Sequence, residues 1–372
     1  MSRNEFRIAF VARLKQDWRA VQENNFDRYR FPLGIVGPSR WRWYARRFGG
    51  ERLRSAWRAL RVVRQSANLQ WLYEILGDDQ SRQLLIDVMA YRALGSRHVR
   101  LSLNNSKFWT SLETIERDLL RSARTHYLPD GTSLDDYDLK PLAMPVKIRG
   151  HILNVLNSFV LEQYRFARNG RVIEVEAGDT VIDAGGCWGD TALYFALKAG
   201  KDGTVFSYEF DASNLELFRH NLEQNAHLSH GVRIVKKAIW SESGRAFDVA
   251  GSGANTHLVA AKHGTGSVNS DTIDDLVRRE NIKRVDFIKM DIEGSELDAL
   301  KGAEVTLRSD RPKLAISIYH RLEHFWLVPQ YINSLGLGYQ FFIDHFTIHA
   351  EETMLFAVAP GSRGKSERPR NM

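Results

Sequence analysis

The stretch Val181-Ile182-Asp183-Ala184-Gly185-Gly186-Cys187-Trp188-Gly189-Asp190 decides the fold. A short β-branched run ends at Asp183, three glycines follow, and a helical pattern opens at Asp190. This is strand, tight turn and helix start, with glycine needed where the backbone reverses and a ligand must approach it closely. Glu209 stands twenty residues beyond Gly189, at the end of the next apolar run, Thr204–Glu209. A carboxylate there can accept hydrogen bonds from both hydroxyls of a ribose. The spacing Ala184-x-Gly186-x-x-Gly189 misses the dinucleotide fingerprint only at its first residue, so the glycines alone leave the ligand open.

Charge separates the two nucleotide ligands that use such a turn. A dinucleotide lays an anionic pyrophosphate over it, and Asp183 repels that group. S-adenosylmethionine brings an ammonium and a cationic sulfonium, which the same carboxylate attracts. At an effective dielectric near 20, unit charges ~4 Å apart interact by roughly 4 kcal/mol before desolvation. The sign differs between the ligands, and it favours S-adenosylmethionine.

Outward from the turn, strand-like runs alternate with helical ones. The runs are Arg171–Val175, Thr180–Ala184, Thr204–Glu209, Val232–Lys236, Val285–Met290, Lys313–Tyr319, Tyr339–Ile343 and Thr353–Ala359. Between them lie helical stretches such as Ser213–Asn225 and Gly294–Leu307. The alternation predicts an open, mainly parallel α/β sheet. The last two runs are too close for a crossover helix and should form an antiparallel hairpin. Before them, residues 1–125 read as mainly helical, with amphipathic segments at Glu51–Arg64, Ser81–Leu94 and Leu112–Ala123. Residues 126–170 read as a linker with a bridging helix, Tyr127–Pro145 being a connecting loop. Residues 171–360 read as the catalytic domain and 361–372 as a disordered tail.

A second block runs Val285-Asp286-Phe287-Ile288-Lys289-Met290-Asp291-Ile292-Glu293-Gly294-Ser295-Glu296, and a third Pro312-Lys313-Leu314-Ala315-Ile316-Ser317-Ile318-Tyr319-His320. With the Asp183–Gly189 turn, and in this order, they resemble the FkbM family of S-adenosylmethionine-dependent methyltransferases, from about Val172 to Ala359. The resemblance implies a class I, Rossmann-like, seven-stranded methyltransferase sheet with a reversed final hairpin, and O-methyl transfer to a hydroxyl of a sugar, glycolipid or glycosylated natural product. It implies that Asp183, Gly185, Gly186 and Gly189 contact the methionine end of the donor and Glu209 its ribose. Asp211 and Asn214 match the family's segment after the second strand, and Ala238 follows the third strand, where adenine rests. The chain departs from the family at Cys187, where many members have Asn, and at Phe210, where many have Pro. S-adenosylhomocysteine is the implied product.

In an open α/β sheet the site lies beyond the carboxyl ends of the strands, where Asp291 and His320 stand. His320, with a reference pKa of roughly 6.5, is the expected general base; Asp291 is expected to orient it, accept a substrate hydroxyl or meet the donor's amino group. Glu293 and Glu296 open a helix, where carboxylates are also stabilised by free amides. Asp291, Glu293 and His320 have the ligand types for Mg²⁺ or Mn²⁺, but spacing alone fixes no geometry among them, and a metal is not the favoured reading. His324, Trp326, His345 and His349 are placed on acceptor-side loops without a role.

Charge is uneven. The chain carries +7 in all, while residues 1–75 carry +10 and the remainder −3. Nine arginines between Arg40 and Arg64 interleave with Trp41, Trp43, Tyr44, Phe48 and Trp57. On Glu51–Arg64 the apolar side is Leu53, Ala56, Trp57, Leu60 and Val63. Packing on the domain behind it is the ordinary reading of such a helix. Peripheral contact of residues 40–64 with an anionic membrane is the second, and nucleic-acid binding the weakest, because the catalytic part offers no second basic surface. One cysteine excludes an intrachain disulfide. No apolar run reaches the roughly 18 residues of a membrane span, and Ile8–Ala12 is too closely bracketed by Arg7 and Arg13 for a secretory segment. A cytoplasmic protein that meets the membrane only at its surface is expected. Acceptor identity and oligomeric state are not legible.

Overall fold

In a computed structural model of the chain, residues 180–199 form a strand, Thr180–Ala184, a glycine turn, and a helix, Asp190–Ala199. The structure describes residues 4–30, 50–128, 133–251, 253, 256–260 and 267–362. Residues 40–49 of the basic segment and 363–372 of the expected tail lie outside the described residues. The chain divides into two compact units: residues 1–110 with 341–353, and residues 111–340 with 354–372.

The first unit contains helices Glu5–Asp17, Gly50–Arg64, Ser66–Ile75 and Asp79–Leu94 around Phe6, Phe10, Leu69, Leu72, Leu85 and Met89. Asp78 caps the last of them by accepting from Ser81 N at 2.6 Å. Helix Gly50–Arg64 packs through Ser55 and Val62, and Arg58 Nε donates to Ala93 O at 3.1 Å. Leu53, Trp57 and Leu60, the side expected to pack, are 74%, 57% and 44% exposed. His345 and His349, predicted on acceptor-side loops, are instead buried structural groups. Tyr91 Oη lies 2.6 Å from His349 Nδ1, and His345 lies 2.9 Å from Thr353 Oγ1 and 2.8 Å from His349 O.

The second unit opens with an antiparallel sheet of β1 (Leu120–Tyr127), β2 (Ser133–Asp138) and β3 (Lys147–Gly150). This corrects two expectations, a helix continuing to Ala123 and a plain loop over Tyr127–Pro145. Aspartates are poor strand formers, yet those of β2 find partners: Asp136 takes both Nε and Nη2 of Arg149, at 2.7 and 3.0 Å, and Asp135 accepts from Tyr137 Oη. Strands β4 (Phe166–Arg168) and β5 (Arg171–Ile173) form a separate hairpin, so the first predicted run lies outside the main sheet.

The remaining strands are β6 (Thr180–Ala184), β7 (Thr204–Tyr208), β8 (Val232–Val235), β9 (Ala238–Ile239), β10 (Ala246–Ala250), β11 (His257–Ala260), β12 (Val268–Asp271), β13 (Phe287–Met290), β14 (Lys313–Ser317), β15 (Gln340–His345) and β16 (Thr353–Val358). Seven of them build one sheet in the order β15-β16-β14-β13-β6-β7-β8. From β14 through β8 neighbours are parallel, and β16 runs antiparallel to β14. Four short strands, β11-β10-β12-β9, make a second sheet that the sequence reading did not anticipate. The predicted helix Gly294–Leu307 is two helices, Glu296–Lys301 and Glu304–Asp310. They break at Gly302, where a Cβ would stand 2.2 Å from Trp240 O.

Candidate functional site

Beyond the carboxyl ends of β13, β6 and β7, three adjacent parallel strands, lies an open cavity. Gly185, Glu209, Asn214, Asp291 and Glu293 line it from the main-sheet side. Lys237, Ile239, Thr256, His257 and Leu258 line it from β9, β11 and the segments beside them. Among the described residues the lining carries three carboxylates and one lysine, and Lys237 Nζ lies 3.6 Å from Asp271. The lining suits a cationic ligand and repels a pyrophosphate.

The glycine turn is shaped by close backbone packing. Gly185 has φ +87°, and a Cβ there would lie 2.0 Å from Asp291 O. A Cβ on Gly186 would lie 2.2 Å from Ser207 Oγ, and one on Gly189 2.4 Å from Phe218. Of the three, Gly185 reaches the cavity; the other two let the following helix settle on β7 and Phe218. Cys187, where the family pattern has Asn, takes φ +44° and also lines the cavity. Left-handed backbone of this kind is adopted more readily by Asn than by Cys.

Asp183 is not where the charge argument placed it. Its side chain is fully buried, outside the cavity lining, and its Oδ1 lies 3.1 Å from Lys289 Nζ. Thr191 Oγ1 and Ser207 Oγ donate to its Oδ2 at 2.9 and 2.7 Å. Lys289 also donates to Ala184 O and Gly185 O at 3.1 and 2.6 Å. Asp183 therefore holds a buried cation that ties down the turn, and the acidic character of the cavity comes from Glu209, Asp291 and Glu293.

Glu209 does stand in the cavity wall. Phe210 N and Asp211 N donate to its Oε1 at 2.7 and 2.8 Å, and Asn214 Nδ2 lies 3.3 Å from Oε2. Burial pushes its pKa up to about 7, against the pull of those donors. Asn214 is fixed by accepting from Trp188 Nε1 at 3.1 Å and donating to Gly253 O at 3.0 Å. Asp211 is the cap of helix Ala212–Gln224, accepting from Ser213 N and Asn214 N at 3.0 Å each, and is absent from the lining. Ala238 is buried and likewise absent, whereas its neighbours Lys237 and Ile239 reach the cavity. Alternation along an extended segment accounts for the exchange.

Asp291 lines the cavity, with Tyr164 Oη at 3.1 Å from its Oδ2 and Tyr319 Oη at 3.4 Å from its Oδ1. His320 is brought beside it but outside the lining. Its Nδ1 lies 2.8 Å from Glu296 Oε1, and its Nε2 lies 3.4 Å from Asp291 Oδ1 and 3.5 Å from Glu293 Oε1. Burial pulls the imidazole pKa down, but Glu296, Glu293 and Asp291 outweigh it and hold the pKa well above the usual histidine value. Those carboxylates favour the charged ring, which works against the general-base role expected of His320. His324, expected on a loop, has its Nδ1 3.1 Å from Glu296 Oε2, at the start of helix His324–Ser334. Glu296 is fully buried, and its Oε1 also accepts from Ile292 N and Gly294 N at 3.0 and 3.3 Å.

Residues 167–346 match the family described as Methyltransferase FkbM domain. Among solved structures, the chain is similar to a methyltransferase FkbM from Methylobacillus flagellatus KT, at 20% identity and a TM-score of 0.50, over 80% of this chain and 60% of that one. The chain thus spans about 60% of that relative's length, and the likeness is one of fold. It is also similar to an S-adenosylmethionine-dependent O-methyltransferase from Thermotoga maritima, at 17% identity and a TM-score of 0.33, over 52% of this chain and 63% of that one. Fibrillarin from Aeropyrum pernix, solved with natively bound S-adenosylmethionine, is similar at 13% identity and a TM-score of 0.33, over 64% and 99%. No curated protein matches the sequence.

Proposed function

Residues 167–346 being a domain of the FkbM methyltransferase family, we propose that the chain is a class I, S-adenosylmethionine-dependent O-methyltransferase. Its acceptor is a hydroxyl on a sugar of a glycan, glycolipid or glycosylated natural product. The observation that carries the donor reading is the acidic lining, Glu209, Asp291 and Glu293 around Gly185 at three adjacent strand ends. When bound, S-adenosylmethionine supplies an electrophilic methyl group on a sulfonium. Glu209 accepts the ribose hydroxyls, Asn214 holds Glu209 in place, and the Gly185 backbone meets the methionine portion. Ile239 and Leu258 offer apolar surface to the adenine. The sugar acceptor comes from the family resemblance; the donor site is the part supported by this chain's own residues.

On the acceptor side, Asp291 is the carboxylate able to take up a hydroxyl proton, and Tyr164 and Tyr319 orient it. Calorimetry with S-adenosylhomocysteine tests the donor reading, with binding in the micromolar range expected. Absence of heat at millimolar ligand overturns it. Labelled S-adenosylmethionine with fractionated glycans and lipids then identifies the acceptor.

A second reading concerns location. No helix among the described residues is long and apolar enough to cross a membrane. Helix Gly50–Arg64 leaves Leu53, Trp57 and Leu60 exposed beside Arg54, Arg61 and Arg64. That combination of bare apolar groups and cations supports peripheral contact with an anionic lipid surface, with arginines at the phosphates and Trp57 among the upper acyl chains.

A further inference from the structure

We propose that His320, Asp291 and Glu293 form a binding site for a divalent first-row cation, of the zinc or manganese type, at the margin of the cavity. His320 follows β14 and Asp291 follows β13, strands paired in parallel with Met290 opposite Ile316. Asp291 therefore leaves the sheet level with Ser317, and His320 stands three residues further along at the same strand ends. Glu293 comes from the turn that follows β13, where its backbone takes φ +52°.

The imidazole is presented as a metal-bound histidine is. Its Nδ1 donates to Glu296 Oε1 at 2.8 Å, and that carboxyl is fully buried. A carboxylate behind one ring nitrogen fixes the tautomer and directs the other nitrogen outward as a ligand. Among the described residues Nε2 makes no hydrogen bond of ordinary geometry, although the side chain is only 7% exposed. It is aimed at two carboxylates, 3.4 Å from Asp291 Oδ1 and 3.5 Å from Glu293 Oε1.

Those separations are informative. Both are longer than the roughly 2.7–3.2 Å of an ordinary N–H···O hydrogen bond. Two ligands each about 2.1 Å from a tetrahedral ion stand roughly 3.4 Å from each other, which matches both. Donor atoms of Asp291, Glu296 and His320 lie within 4.8 Å of one another, and Glu293 joins this group through its 3.5 Å approach to Nε2. Glu296 serves as the positioning carboxylate, since its Oε1 also accepts from two backbone amides and its Oε2 faces His324. One imidazole with two carboxylates suits Zn²⁺ or Mn²⁺. Asp291 and Glu293 both line the cavity, so a remaining coordination position opens toward it. That this position holds the acceptor oxygen rests on the methyltransferase reading; binding of the ion does not.

The test is equilibrium dialysis of the metal-stripped full chain against Zn²⁺ and, separately, Mn²⁺, with elemental analysis and, for Mn²⁺, electron paramagnetic resonance. About one ion per chain is expected. Glu293→Gln, whose side chain is 30% exposed and outside the core, should lower affinity at least about tenfold, and Glu296→Gln should lower it roughly 10–100-fold. Thermal melts of each variant report whether it is folded. Retention of neither ion by the wild-type chain, or unchanged affinity in folded Glu293→Gln, overturns the proposal. S-adenosylhomocysteine binding is measured on the same samples. An ion bound without the nucleoside sinks the donor reading alone, and the nucleoside bound without an ion sinks the metal site alone.

Discussion

Lys289 Nζ lies 3.1 Å from Asp183 Oδ1, and the two residues face each other in register across β13 and β6, with 1% and 0% of their side chains exposed. Burial pulls the lysine pKa down, but Asp183 and then Asp291 more than restore it, which favours the charged ammonium. A buried pair of this kind is weak evidence for added stability, yet breaking it strands a charge. Lys289→Met should therefore cost about 3–5 kcal/mol in urea unfolding, and Asp183→Asn combined with Lys289→Met should recover most of it. If the single and double variants are equally unstable, the coupling does not exist.

Glu209 sets two pH dependences of opposite sign. Its folded pKa of about 7 lies above the ordinary 4.5. Its contribution to stability is therefore complete below the ordinary value and is lost as pH rises through the folded one, by about 3 kcal/mol in all. Ribose hydroxyls donate to the ionised carboxylate, so donor affinity moves the other way. It should fall up to about tenfold per unit below neutrality. Glu209→Gln should flatten both profiles, read by thermal melts and by calorimetry with S-adenosylhomocysteine.

Gly185→Ala places a methyl group 2.0 Å from Asp291 O on a backbone with φ +87°. Neither partner is a flexible side chain that can swing aside. A loss of about 3 kcal/mol or more is expected, with donor binding weakened at least about tenfold. Wild-type affinity in that variant would show that the turn does not touch the donor.

Replacing Leu53, Trp57 and Leu60 by serine should leave the melting temperature nearly unchanged, because all three are exposed. Sedimentation of the full chain with phosphatidylglycerol vesicles should fall at least about tenfold. Equal sedimentation of variant and wild type would remove this helix from membrane contact.

The parallel strands, their glycine turn and the carboxylate at the end of β7 were legible because each is a local pattern. Apolar runs alternate with helices, and the special residues lie within a few positions of a strand end. The second sheet, β9 to β12, was not legible. Its strands are two to five residues long, below the length at which periodicity separates strand from loop. The face on which helix Gly50–Arg64 packs was misread for a related reason: Arg58 bonds to Ala93 O and turns Ser55 and Val62 inward, a contact across 35 residues.

The amino-acid order by itself determined that the chain builds a mainly parallel α/β sheet whose strand ends carry glycine and carboxylates, since backbone freedom and residue periodicity act over short distances. Only the tertiary structure decided what each charged group faces. It turned Asp183 from a ligand contact into the partner of Lys289, and it surrounded His320 with Asp291, Glu293 and Glu296. The physical reason is that a titratable group's protonation depends on burial and on charges within a few ångströms, and those neighbours come from strands and turns far apart along the chain.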